Sequence, residues 1–331
     1  MIFNSLKTKK TRPSVDFGKN CMKKFLSVLK PYLRWLILGL TAFFLIHTFK
    51  SNWREISEIE ITNMGWLCLF LAFTITTTAH IWSGWVWLLI LREFNQTIKQ
   101  RSGLQIYLKT NIAKYLPGNI WHFYGRVVEV NKAGVSLGPA ALSVLLEPLL
   151  MASAALSIAL ITAQQKYWGL QVLCLLVVLT GVHPRILNPV VSHLRKIKWK
   201  VTSSESPSAF YYQLERYPLR PFLGEMGFVI LRGMGFLLTA LALMPFTPQQ
   251  IPLLVSAYSL GWMMGLIVPG APGGLGVFEA TTLALLESHF SSGLLLSAIA
   301  CYRVISVLAE TSGALFAGID KHLLENHKPT I

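Results

Sequence analysis

Two stretches of this 331-residue chain, Lys114-Tyr-Leu-Pro-Gly-Asn-Ile-Trp-His-Phe-Tyr-Gly-Arg126 and Pro269-Gly-Ala-Pro-Gly-Gly-Leu-Gly-Val-Phe-Glu279, set helix breakers and ionisable groups beside strongly apolar segments. Proline removes a backbone donor and glycine weakens a helix, so at membrane depth the freed polar groups need protein or water as partners. Breaks of this kind belong inside a bundle or along a cavity, as the broken helices of transporters do.

The composition agrees with a membrane-embedded chain. With 53% hydrophobic residues, 14% charged residues and a mean hydropathy of +0.50, it is too apolar for an ordinary soluble domain. The net charge of +15 raises the possibility of nucleic acid, but the basic residues flank apolar segments rather than forming a nucleic-acid motif. They read as topology determinants and contacts to anionic lipid. Cys21, Cys68, Cys174 and Cys301 are widely separated, with no metal-ligand or redox spacing, so neither disulfides nor a metal site is expected.

Residues 1–31 form a basic leader carrying Lys7, Lys9, Lys10, Arg12, Lys19, Lys23, Lys24 and Lys30. The positive-inside rule places it in the cytoplasm, and no small-residue cleavage site follows. At about 20 residues per crossing, full spans are expected near 32–49, 65–91, 138–163, 168–187, 222–246 and 292–318. The interrupted segments 103–130 and 251–288 read as re-entrant hairpins or distorted spans. The fold class is thus an all-α polytopic bundle of six spans and two Pro-Gly-broken hairpins within 32–318. Eight full spans are the alternative, since 251–268 is nearly long enough to cross. A short tail, 319–331, lies with the leader in the cytoplasm.

Hairpins entering from opposite faces would bring their tips together near the midplane, as in inverted-repeat transporters. The two halves show no evident sequence identity. Pro117, Gly118, Pro269, Gly270, Pro272, Gly273, Gly274 and Gly276 are the expected hinge or broken-helix residues.

Arg126, Glu129, Glu147, Glu225, Arg232, Glu279, Arg303 and Glu310 fall within apolar or broken segments. Inserting such a group at the bilayer centre costs about 2.5–3.5 kcal/mol even on lenient scales, so each needs a partner or water. Simple pairing that holds the bundle together is as good an explanation for any one of them as transport. Helical spacing sets Arg126 beside Glu129, and places Glu225 with Arg232, and Arg303 with Glu310, on shared faces. Glu147 precedes Pro148, which puts a carboxylate next to an opened backbone carbonyl. Arg126, Arg232 and Arg303 have the forked donors that suit a phosphate, with Glu147 or Glu279 for an amine or a coupling proton. Asn119, at a new helix start, and His122 are further cavity candidates. Trp121 and Tyr124 fit an interfacial aromatic belt better than a pocket. Gly261 and Gly265 form a small face for a neighbouring helix. The run from Pro269 to Gly276 completes no nucleotide-binding fingerprint, and no catalytic or metal motif emerges.

The stretch Lys114 to Arg126, with Ser143-Val-Leu-Leu-Glu147, Pro272-Gly-Gly-Leu-Gly-Val-Phe-Glu279 and Tyr302-Arg303, resembles the lysylphosphatidylglycerol synthase transmembrane-region family over about 33–318. In fused bacterial members the related domain is the lipid-translocating part, followed by a soluble aminoacyl-transfer domain. The resemblance implies a stand-alone, flippase-like membrane domain without that transferase. Phe278 stands where relatives commonly carry a basic residue, so a lysyl-lipid cargo does not carry over with the motif.

The expectation is therefore a multi-pass protein of the bacterial inner membrane that translocates an anionic or polyprenyl-linked lipid, without a cofactor or nucleic acid. Arg126, Arg232, Arg303, Glu147, Glu279, Asn119 and His122 would form the headgroup cavity, with no catalytic residue. A membrane-embedded transferase with a lipid-linked donor, and an assembly partner of an envelope-lipid synthase docking through the basic loop 193–220, are the alternatives.

Overall fold

The computed structural model describes residues 59–116, 120–162, 168–189, 213–268 and 271–326, together with positions 50 and 54. The leader, the span expected at 32–49, most of the loop 193–220, and Pro117, Gly118, Asn119, Pro269 and Gly270 lie outside the described residues.

All described elements are helical. In chain order they are α1 (Asn63–Glu93), α2 (Gln100–Asn111), a first 3-10 tip turn (Ile112–Tyr115), α3 (Trp121–Lys132), α4 (Leu137–Thr162), α5 (Trp168–Val182), α6 (Leu219–Leu243), a short 3-10 lead-in (Pro248–Gln250), α7 (Ile251–Ile267), a second 3-10 tip turn (Pro272–Gly274), α8 (Val277–Leu286) and α9 (Ser292–Asn326). The Thr62 hydroxyl opens α1 by accepting the Gly65 N–H at 3.1 Å, which satisfies one of the amides left bare at a helix start.

Five helices among the described residues are long and apolar enough to cross a membrane: α1, α4, α6, the 20-residue stretch Pro248–Ile267, and Ser292–Asp320 of α9. α2 and α3 have 12 residues each. At 1.5 Å per residue each rises only about 18 Å, short of a ~30 Å hydrocarbon core. The first broken segment is therefore a hairpin of two short arms. In the second, the stretch Pro248–Ile267 that ends in α7 is long enough to span while α8 has 10 residues, so the two interrupted segments differ in reach. The segment expected at 168–187 is helical over 15 residues in α5, with a break at His183 before helix resumes at 184.

The order long helix, broken hairpin, long helix occurs twice: α1, α2–α3, α4, and then α6, α7–α8, α9. The contacts follow the same duplication. α1 and α6 share the most extensive interface; α4 packs on α6 and α7, while α9 packs on α1 and α2. α1 and α6 run antiparallel: Gly65 lies beside Ala242, Thr76 beside Gly235, and Val86 beside Gly224. Equivalent helices that pair in opposite directions are related by a pseudo-two-fold axis perpendicular to them, the geometry of an inverted repeat.

The α1–α6 contact depends on small residues. A Cβ at Gly224 would sit 2.7 Å from Val86 Cγ2, and the Trp82 indole donates to the Gly224 carbonyl at 2.8 Å. Close backbone approach gives packing and polar contacts where lipid supplies no hydrophobic drive. Gly224→Leu is expected to cost at least the ~1–3 kcal/mol typical of overpacking, read as a lowered melting temperature in detergent, with Gly169→Leu as an unhindered control because no atom lies near its Cβ position.

Candidate functional site

The tips of the two hairpins meet. A Cβ at Gly273, in the second turn, would lie 2.6 Å from the ring of Tyr115 in the first. Gly273 and Gly274 have φ of 58° and 73°, and a Cβ on Gly274 would sit 2.9 Å from the Gly265 backbone of α7. Positive φ and direct backbone contact together require glycine there. Gly261 and Gly265 thus admit α8 of their own hairpin, through Phe278 and the second turn.

Around these tips lies a cavity of about 200 Å³. Its lining includes His80 from α1, Lys114 and His122 from the first hairpin, Arg232 from α6, and Ser306 and Glu310 from α9. It is organised as three connected polar clusters.

The first joins hairpin one to α4. The Arg126 guanidinium pairs with Glu147 Oε2, and both side chains are buried. Tyr107 donates its hydroxyl to Glu147 Oε1 at 2.8 Å. Since that proton is committed, Ser83 Oγ, 2.6 Å away, donates to the tyrosine oxygen. The Tyr107 ring lies under the guanidinium at 4.0 Å, a cation–π platform. Pro148, inside α4, leaves the Val144 carbonyl without its helical donor next to this pair.

The second joins hairpin two to α9 with the charges exchanged. Arg303 Nε donates to Glu279 Oε1 at 2.6 Å, and its terminal nitrogens donate to the Gly273 and Gly274 carbonyls at 3.1 Å each. Glu279 Oε2 accepts the Gly276 N–H at 2.5 Å, so the carboxylate covers the start of α8 while anchoring Arg303. Glu147 is the eleventh residue of α4 and Arg303 the twelfth of α9. The two repeats therefore place opposite charges at nearly equivalent sites, each paired to the second arm of its own hairpin.

The third cluster lies between them. Glu310 Oε1 accepts Lys114 Nζ at 2.7 Å and is 3.6 Å from Arg232. Arg232 also reaches His80 Nε2 at 2.8 Å; arginine has no acceptor, so that nitrogen accepts and the His80 proton is assigned to Nδ1. The 3.2 Å approach of His80 Nε2 to Glu310 is thus a contact of a neutral ring, not an ion pair. Arg232 Nε donates to the Tyr258 hydroxyl at 3.3 Å, Tyr258 donates to Tyr302, and Tyr302 donates to the Arg232 carbonyl at 3.0 Å.

Arg126, Glu147, Arg232, Arg303, His122, Gly273 and Gly274 all line the cavity, and Glu279 is bonded to it through Arg303. Pro272 and Gly276 flank the second tip. The partners are not those of helical spacing. Arg126 turns inward to Glu147, whereas Glu129 faces outward to Lys132 at 2.7 Å. Arg303 takes Glu279, and Glu310 takes Lys114 and Arg232. Trp121 and Tyr124 are exposed, as an aromatic belt requires.

Phe278 is buried in an aromatic cluster with Phe236, Tyr258 and Tyr302, and the Arg303 guanidinium sits 5.2 Å from its ring centroid. A ring face takes the place of a second basic group beside Arg303. Sequence reasoning passed over His80, Tyr107, Tyr258 and Lys114. His80 is an ionisable group inside an apolar helix, the same signal that marked the arginines. Lys114 reads as one more basic loop residue, yet it is partly buried and paired with Glu310 in the cavity lining.

No curated protein matches the chain. The model of the family described as "Lysylphosphatidylglycerol synthase TM region" matches residues 33–311, which contain both hairpins, the three charge clusters and the helices that carry them up to Thr311 in α9. The chain belongs to the lysylphosphatidylglycerol synthase transmembrane-region family.

Proposed function

We propose that this membrane protein binds an anionic, phosphate-bearing lipid by its headgroup in the cavity between the hairpin tips and moves it between leaflets. The observation that carries this reading is the composition of the cavity: Lys114, Arg126, Arg232 and Arg303 are set against Glu147, Glu279 and Glu310, leaving one positive charge in excess. Several polar atoms there, Arg126 Nε, His122 Nδ1 and Ser306 Oγ, have no hydrogen-bond partner among the described residues. Buried polar atoms are nearly always paired, so unpaired polar atoms on residues that line a cavity fit a ligand with several acceptor oxygens. A phosphodiester has the matching charge and acceptors.

The hairpin tips supply the moving part. Each is held by an ion pair to the following long helix, and exchange of a carboxylate for a lipid phosphate on Arg126 or Arg303 would release that hold. Inverted repeats make two arrangements related by the pseudo-two-fold axis close in energy, the usual basis of alternating access. On this reading the protein sits in a bacterial inner membrane with its termini cytoplasmic, and the lipid class includes polyprenyl-linked phosphates.

The test is translocation of fluorescent lipids in proteoliposomes of phosphatidylcholine and phosphatidylglycerol. Labelled phosphatidylglycerol should cross faster than in protein-free vesicles, while labelled diacylglycerol, which lacks phosphate, should gain nothing from the protein. Equal acceleration of both lipids, or of neither, overturns the assignment.

A further inference from the structure

Glu225, on α6, is fully buried at 0% exposure, and neither carboxyl oxygen has a hydrogen-bond partner among the described residues. It does not line the cavity but lies behind the first cluster, close enough for the charges of Glu147 and Arg126 to act on it. The other titratable group it faces is Tyr107 from α2, whose proton is already given to Glu147. From α1, Val86 and Trp82 cover the neighbouring Gly224; α7 and α9 meet α6 further along, at Arg232, through Tyr258, Tyr302 and Glu310. Two carboxyls thus share one guanidinium, and only Glu147 is bonded to it. An ionised carboxylate with no partner is too costly in such a site, so Glu225 is a neutral acid.

The geometry points to Glu225 and Glu147 as a carboxyl pair that holds one proton, on Glu225, in the lipid-free state and takes up a second, on Glu147, when a headgroup enters the adjacent cavity, an inference that rests on the lipid-phosphate reading of that cavity. With Glu225 protonated, Arg126 and Glu147 balance each other. When a phosphate takes Arg126, Glu147 loses its counter-ion beside a second acid. One proton, drawn from the water on the side to which the cavity opens, then binds as O–H on Glu147 and restores the balance. Without the Glu225 proton, two carboxylates would face each other, which disfavours opening of the Arg126–Glu147 pair. Lipid and proton therefore bind together and leave together.

The test uses the full-length protein in detergent, with short-chain phosphatidylglycerol as probe. Calorimetric titration in two buffers of different ionisation enthalpy should show uptake of one proton per lipid bound, with affinity rising as pH falls by at most about tenfold per pH unit. Glu225→Gln, isosteric with the neutral acid, should bind the probe and keep the uptake, whereas Glu147→Gln should bind it with the uptake lost. Separately, the infrared spectrum of lipid-free wild type at neutral pH should contain the carbonyl band of a protonated carboxyl. That band should vanish in Glu225→Gln and persist in Glu225→Asp. Uptake lost in Glu225→Gln or kept in Glu147→Gln, or a wild-type spectrum without the band, overturns the proton pair. Failure of wild type to bind the probe overturns the lipid reading instead, and the infrared result still decides the protonation of Glu225.

Discussion

Glu147→Ala is expected to destabilise the protein by about 3–5 kcal/mol, the range for removing one partner of a buried ion pair. Arg126 is 1% exposed, and its ionic partner among the described residues is Glu147. The substitution strands a guanidinium in the interior and also removes the acceptor of the Tyr107 hydroxyl, which would have to find another within the bundle. Unfolding in detergent measures the loss. Glu147→Leu with Arg126→Met should recover much of it, because an apolar pair of similar size carries no unpaired charge. If the two single losses simply add in the double variant, the pair is not the unit described here.

Arg303→Ala is expected to stop lipid translocation while leaving the protein inserted. The guanidinium binds three acceptors at once: Glu279 Oε1 at 2.6 Å and the Gly273 and Gly274 carbonyls at 3.1 Å. It thereby ties the second tip and the start of α8 to α9. Hydrogen bonds to a charged group contribute about 1.5–3 kcal/mol each, so losing even one from a rate-limiting arrangement slows movement by at least about tenfold. Arg303→Lys keeps the charge but not the planar fork, and should restore little of the rate. The proteoliposome assay with labelled phosphatidylglycerol reads both variants. Wild-type movement by folded Arg303→Ala would sink the assigned role.

The phosphate-selectivity experiment above asks whether the cavity binds this class of lipid at all, whereas Arg303 asks whether the hairpin tip is the moving part. Loss of movement in Arg303→Ala, with probe binding retained, would locate the defect in motion rather than recognition.

The residue sequence by itself determined the class of protein, the positions of most helices, the two breaks and the family. These follow from local quantities: runs of apolar residues near the length of a bilayer, glycine and proline between them, and the cost of an ionisable side chain in hydrocarbon. That cost also singled out Arg126, Glu147, Arg232, Glu279 and Arg303. The tertiary structure alone decided the partners. Helical periodicity says which face of one helix a residue occupies, so it set Arg126 with Glu129 and Arg303 with Glu310; the observed pairs join different helices and depend on how the hairpins turn back. Lys114 was invisible as a cavity residue for the same reason, because its contact with Glu310 comes from α9 packing against the first hairpin. The inverted repeat, expected from the two broken hairpins, left no evident sequence identity because it resides in the order and direction of helices, and antiparallel packing needs complementary small and large residues rather than the same residues twice.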